Sequence, residues 1–176
     1  MDSTLALADI PSHTDSVSTL QIQLRPYQRE DAKAFRELNE AWINHYFGLE
    51  EHDSEILENP DRYVFEPGGH IFLAFLKGRA IGCCALIPIE PNAFEVAKMA
   101  VAEEHRGHGV GRRLLAYVIE QARGFGATRL YLETNSRLVN AIHLYESLGF
   151  RHIPAKPSVF TRANVFMEQS LTKASS

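Results

Sequence analysis

Apolar residues change their spacing several times along this chain, and each change marks an element. Leu20, Ile22 and Leu24 alternate with glutamines, the period of a half-buried strand, and Pro26 stops the run. Glu30 to His45 is predicted helical: acidic residues open it, and Leu38, Ala41, Trp42 and His45 share a face. A second, acidic helix is expected from Glu50 to Asn59, ended by Pro60, with a loop over residues 60–69. His70 to Leu76 and Ala80 to Ile87 are β-rich runs joined across Lys77-Gly78-Arg79, a hairpin signal. Ala93 to Val101 reads as the next strand. After it Val110, Leu114, Leu115, Val118, Ile119 and Ala122 form one apolar stripe of a helix that Gly124 and Gly126 end. Leu130 to Thr134 is a strand, Ala141 to Leu148 a helix closed by Gly149 with Phe150 as its apolar cap contact, and Phe160 to Glu168 a last alternating strand. The order is mixed α/β, hairpins first and βα units second.

The chemistry concentrates between Glu95 and Leu115. Gly107, Gly109 and Gly111 occupy alternate positions between a strand and a helix. Such a turn leaves backbone N–H groups unpaired and unshielded at a helix N-terminus, which suits phosphate oxygens and is favoured by the helix dipole. Arg106 precedes the turn, and Arg112 and Arg113 follow it. A Walker A loop is excluded, because Gly111 is followed by arginines and not by Lys-Ser/Thr. A dinucleotide fingerprint fails too: counting from Gly107 or Gly109, the third glycine would fall on Arg112 or Leu114.

What remains is R-x-x-G-x-G, Arg106 to Gly111, followed about thirty residues later by AIHLYESLGF, Ala141 to Phe150. Together they resemble the GNAT superfamily of N-acetyltransferases, over residues 20 to 168, in the manner of small free-standing bacterial members. The resemblance implies a GNAT fold: a mixed central sheet of about seven strands with four helices, and a splayed parallel strand pair that admits acetyl-pantetheine. It implies acetyl-CoA as cosubstrate. Arg106, Gly107, His108, Gly109, Val110, Gly111 and Arg112 would cradle its pyrophosphate, and the backbone of Met99, Ala100 and Val101 its pantetheine arm and thioester oxygen.

Acyl transfer to an amine needs a neutral nucleophile, donors for the developing oxyanion and a proton for the leaving thiolate. An alkyl ammonium of pKa ~10.4 needs a base near neutral pH. By the resemblance Glu95 is the first candidate for that base. Glu133 is the second, matching the base position of enzymes that acetylate ribosomal-protein N-termini. Tyr145 matches the tyrosine that protonates the thiolate. Many members carry an asparagine seven residues before that tyrosine. Here Leu138 stands in its place, and Asn140 or Asn135 are the nearby substitutes. The alternatives are solvated or structural carboxylates at 95 and 133, and a Tyr145 that belongs to its helix's apolar stripe.

Composition bounds the rest. The 176 residues suit one domain, expected at 19–170 between tails at 1–18 and 171–176. With 45% hydrophobic and 23% charged residues the chain is an ordinary soluble type, and its net charge of −4 gives no footprint for nucleic acid. No apolar run approaches the ~20 residues of a membrane span. Cys83 and Cys84, the only cysteines, are strand neighbours that face opposite ways, so no disulfide is expected and a cytoplasmic setting fits. The histidines, His105, His108 and His143 among them, show no ligand spacing, so no metal is expected. The acidic run Leu49 to Glu58 reads as an exposed helix face, or a lure for a cationic acceptor; Trp42, Tyr46 and Phe47 read as core first, or as lining of the acceptor mouth. The function expected is transfer of acetyl from acetyl-CoA to a primary amine of a small molecule or amino acid, by direct attack in a ternary complex. The rivals are N-terminal or lysine acetylation of a protein and a non-catalytic CoA-binding sensor. A homodimer is expected by analogy, with Phe160–Glu168 offering an edge.

Overall fold

The computed structural model describes residues 21–172; the expected tail at 1–18, the strand start at Leu20 and residues 173–176 lie outside them. Seven strands form one sheet: β1 (Ile22–Pro26), β2 (His70–Leu76), β3 (Arg79–Glu90), β4 (Ala93–Val101), β5 (Arg129–Thr134), β6 (Arg151–Ile153) and β7 (Val165–Ser170). Their order across the sheet is β1-β2-β3-β4-β5-β7-β6. Four α-helices accompany them: α1 (Ala32–Tyr46), α2 (Glu51–Glu58), α3 (Val110–Gly124) and α4 (Val139–Ser147). The hairpin between β2 and β3 turns on Lys77 and Gly78, both at positive φ, the geometry that follows the right-handed twist of the paired strands.

Side chains alternate across the sheet, so it has two cores. Phe35, Ile56, Leu57, Ile71, Leu73, Cys83 and Ala85 pack on the side of α1 and α2. Phe72, Cys84, Leu86, Leu114, Leu115, Val118, Leu130 and Met167 pack on the side of α3. Cys83 and Cys84 thus belong to opposite cores, as strand neighbours must, and both are free thiols.

Four expectations are corrected. The buried stripe of α1 is Phe35, Asn39 and Ile43, not Leu38, Ala41, Trp42 and His45. A buried polar residue sits in the middle of that stripe: Asn39 donates to the Phe35 carbonyl and to the Cys83 sulfur, which satisfies it there. The loop expected at 60–69 contains a single π-type turn, Asp61–Phe65. The last strand begins at Val165, because residues 160–164 turn back toward α2, where Thr161 and Arg162 bind Glu50. That strand is not an edge: β7 lies between β5 and β6 with antiparallel partners on both sides.

Candidate active site

Two features of β4 build the site. Its parallel pairing with β5 is confined to Ala93–Arg129, Phe94–Leu130 and Glu95–Tyr131. Beyond Glu95 the two strands part, leaving the C-terminal half of β4 open on one side. On its other side β4 carries a bulge: Ala97 pairs with Ala85 and Ala100 with Cys83, so Lys98 and Met99 together oppose one residue of β3. Lys98 adopts φ 49°, a conformation that costs a non-glycine residue roughly 1–3 kcal/mol. The bulge also resets which face each side chain meets. Val96 and Val101 are five residues apart and would face opposite ways on a regular strand, yet both pack in the α3-side core.

A cavity of about 320 Å³ opens where the strands part on the glycine turn. Met99, Ala100, Val101, Arg106, Gly107, Gly109, Val110, Gly111, Arg112 and Asn140 line it, so every residue expected at the cosubstrate except His108 is there; His105 lines it as well. Gly109, the N-cap of α3, has φ 81° and Gly107 has φ 76°, a left-handed backbone in which any Cβ is strained. A Cβ at either position would meet nothing within 4 Å, so the backbone there is open. The first-turn N–H groups of α3 have no carbonyl one turn back to bond. Arg106 does not reach free into this space: its Nε donates to the Val101 carbonyl at 2.9 Å and its guanidinium lies 4.5 Å from the Trp42 ring centre. It therefore clamps α1 to the turn. Arg112 donates to Ser147 Oγ at 2.6 Å, tying α3 to the end of α4.

A second cavity, about 120 Å³, lies on the other side of Tyr145. Trp42, Met99 and Tyr145 line both cavities, so the two meet at the tyrosine. Trp42, Tyr46 and Phe47, read as core first and as cavity lining second, are half-buried wall residues. Amphipathic ring edges at a cavity satisfy the same helical spacing as core packing, which is why the pattern alone did not separate the two.

Glu95 and Glu133 both line the second cavity, on the facing strands. Burial pushes the Glu95 carboxyl up to about 7; the charge of Glu133 adds to the rise and Lys98 opposes it. Among the described residues the Glu95 carboxyl has no hydrogen-bond donor. Glu133 differs: Tyr131 Oη donates to one oxygen at 3.0 Å and Ser158 Oγ to the other. Burial also raises the Tyr145 phenol, with a smaller push from Cys84. Leu138, where the asparagine was expected, caps α4 and faces the second cavity. Asn135 faces it too but is occupied, donating to the Arg162 carbonyl and accepting from the Arg137 N–H.

The residues missed by sequence reasoning are charged. Asp53, in the acidic run read as an exposed face, is 0% exposed. Its carboxylate accepts from Lys98 Nζ at 2.7 Å and from both terminal nitrogens of Arg162 at 2.7 Å. The Arg162 hydrogen bonds and the Lys98 charge hold it at about 2 against the pull of burial. Phe160 lies under both cations, 4.5 Å from Lys98 Nζ and 4.6 Å from the Arg162 guanidinium carbon. A lone lysine inside an apolar strand was the one available signal. Nothing local distinguishes Asp53 from its acidic neighbours.

A family model described as the acetyltransferase (GNAT) family matches residues 24–150. The chain belongs to this family. Among GNAT relatives, the N-acetyltransferase YjgM of Escherichia coli is 37% identical over 91 residues, half of this chain and 54% of that protein. Human N-acetylaspartate synthetase is 36% identical over 94 residues, 53% of this chain and 31% of the synthetase. The matches thus span about half or less of these curated relatives. A GNAT acetyltransferase from Staphylococcus aureus shares the fold, with a TM-score of 0.76 at 24% identity, covering 86% of this chain and 99% of that one. The Salmonella typhimurium protein yncA, solved with its cofactor acetyl-CoA, has a TM-score of 0.71 at 19% identity over 88% of this chain and 96% of its own. The GNAT expectation of a seven-stranded mixed sheet with a splayed parallel pair is thereby met. The open, amide-bearing turn at Gly107–Gly111 also fits the diphosphate of the GNAT cosubstrate. Among the described residues no group of three or more His, Cys, Asp or Glu side chains could hold a metal ion. No helix among them is long and apolar enough to cross a membrane.

Proposed function

We propose that this chain is an acetyl-CoA-dependent N-acetyltransferase acting on the primary amine of a small molecule or amino acid. The carrying observation is the junction at Tyr145: a phosphate cradle on one side, and on the other a carboxyl that ionises near neutral pH. Acetyl-CoA supplies an activated acetyl thioester. Residues Gly107 to Arg112 hold its phosphates, and the unpaired edge of β4 at Met99–Val101 holds its arm.

Glu95 is the base. A carboxyl titrating near 7 is ionised often enough to accept the ammonium proton and basic enough to take it. The neutral amine nitrogen then bonds to the acetyl carbon as the carbon–sulfur bond breaks. Tyr145 gives its phenolic proton to the departing sulfur, and the acylated nitrogen sheds its second proton to the resulting phenolate, so the products are the N-acetyl amide and CoA, with the first ammonium proton left on Glu95. Direct attack is supported by the cysteines: burial pushes the Cys83 thiol up to about 12, Cys84 is raised as well, and neither lines either of these two cavities. The free thiols support a cytoplasmic setting, and one sheet with a core on each face supports a single domain.

Tyr145→Phe tests this reading. It is expected to lower kcat by about 10²-fold or more, with acetyl-CoA affinity by calorimetry within a factor of about two. Unchanged turnover would remove the tyrosine from the reaction. A thiol-release assay over amines, amino acids and peptides tests the acceptor class.

A further inference from the structure

The wall of the acceptor cavity carries charges of both signs. Glu95 and Glu133 supply two carboxyl groups, and Lys98 and Arg162 supply two cations. Asp53 and Glu50, which hold the cations from behind, are not part of that wall. Lys98 gives one hydrogen bond to Asp53, and Arg162 gives three to Asp53 and Glu50. An ammonium and a guanidinium each carry more donors than that, so both keep N–H groups for a further acceptor. Their positions are fixed. Lys98 sits on the bulge, Phe160 stacks against both cations, and the Arg162 segment is pinned by Thr161 on Glu50 and by Asn135 on the Arg162 carbonyl. Preorganised, desolvated cations of this kind bind carboxylates well, because little is lost in ordering them.

Resting on the acetyltransferase reading above, we propose that the acceptor is a free α-amino acid, with its carboxylate held by Lys98 and Arg162 and its amine facing Glu95. A zwitterion matches both halves of the wall. A diamine or polyamine does not, since its second ammonium would meet Lys98 and Arg162. A peptide does not either: the α-carboxyl of its first residue is tied up in the peptide bond, and about 120 Å³ is small beside the ~300 Å³ and above of larger ligand sites. Lys98 and Arg162 are thus specificity residues, and Asp53 is the positioning residue that holds them at the required spacing.

The test uses the full chain, acetyl-CoA and CoA-thiol release. Acceptors are the standard L-amino acids, each paired with its α-carboxamide, together with spermidine and peptides. The carboxamide keeps the amine and the side chain and removes only the negative charge. Its amine is also the less basic, so any nucleophilic bias runs against the expected result. The best amino acid is expected to exceed its carboxamide by about ten- to hundredfold in kcat/KM. In Arg162→Gln and Lys98→Met that ratio should fall toward one through a raised KM for the acid, with CoA affinity retained. If either variant fails to fold, the wild-type ratio alone decides. Equal or better turnover of carboxamides, spermidine or peptides overturns the carboxylate anchor and leaves the acetyltransferase standing. Absence of CoA release with every acceptor, despite acetyl-CoA binding, overturns both readings.

Discussion

Glu95 and Asp53 show how burial acts oppositely on two carboxyl groups of one site. Glu95 is half-buried with no hydrogen-bond donor among the described residues, and desolvation holds its proton up to about 7. Asp53 is buried against two cations, so its proton is lost until about 2. The consequences for stability have opposite signs. Between the unfolded carboxyl value and about 7 the folded state keeps a proton on Glu95 that the unfolded chain has released, so stability falls as pH rises through that window. Glu95→Gln should therefore raise Tm relative to the parent at pH 8 and not at pH 4, as scanning calorimetry at the two values would read. The same variant should lower kcat by about 10²–10⁴-fold and abolish an acidic limb with apparent pKa near 7 in the pH profile of kcat/KM. A limb that survives the substitution would assign the base elsewhere. Asp53 contributes stability that is present above the ordinary carboxylate range and lost as pH falls toward 2. Asp53→Ala leaves two cations without their buried partner and is expected to destabilise by about 3–5 kcal/mol in urea unfolding.

Elements make the site by where they stop pairing. The α3 stripe, the hairpin and the glycine turn were legible in the sequence because each is set by local spacing. The β4 bulge was not: Ala93 to Val101 reads only as a strand, and the extra residue becomes visible only in its register against β3. The turn lends itself to a binding experiment. Replacing Gly109 and Gly111 together with valine is expected to weaken CoA binding by more than about 10²-fold, while far-ultraviolet circular dichroism still reports a folded chain. Gly109 needs its left-handed backbone, whereas a Cβ at Gly111 would meet Leu144 and Met99 at 3.5 Å, an ordinary contact. Normal CoA binding by the double variant would place the diphosphate elsewhere.

For the molecule as a whole, one sheet with a core on each face sets what is reachable from solvent. Cys83 and Cys84 lie back to back in those cores, both with raised thiol values. Iodoacetamide is therefore expected to label neither in the native protein and both after unfolding, by intact-mass measurement. Native labelling at a rate near that of a free thiol would reopen an acyl-enzyme route. The segment from Phe160 to Ala163 lines the smaller cavity and reaches across to α2, a contact between residues more than a hundred positions apart.

That distance separates the two kinds of information. The periodic runs, the glycine turn and the Tyr145 helix follow from residues within a few positions of one another, so the family and its open glycine turn could be read from the linear chain. The Asp53–Lys98–Arg162 cluster, the parity shift on β4 and the interior place of β7 depend on contacts between segments far apart in sequence. No local pattern encodes which acid in an acidic run will be buried, because burial there is set by the cations that other segments bring to it.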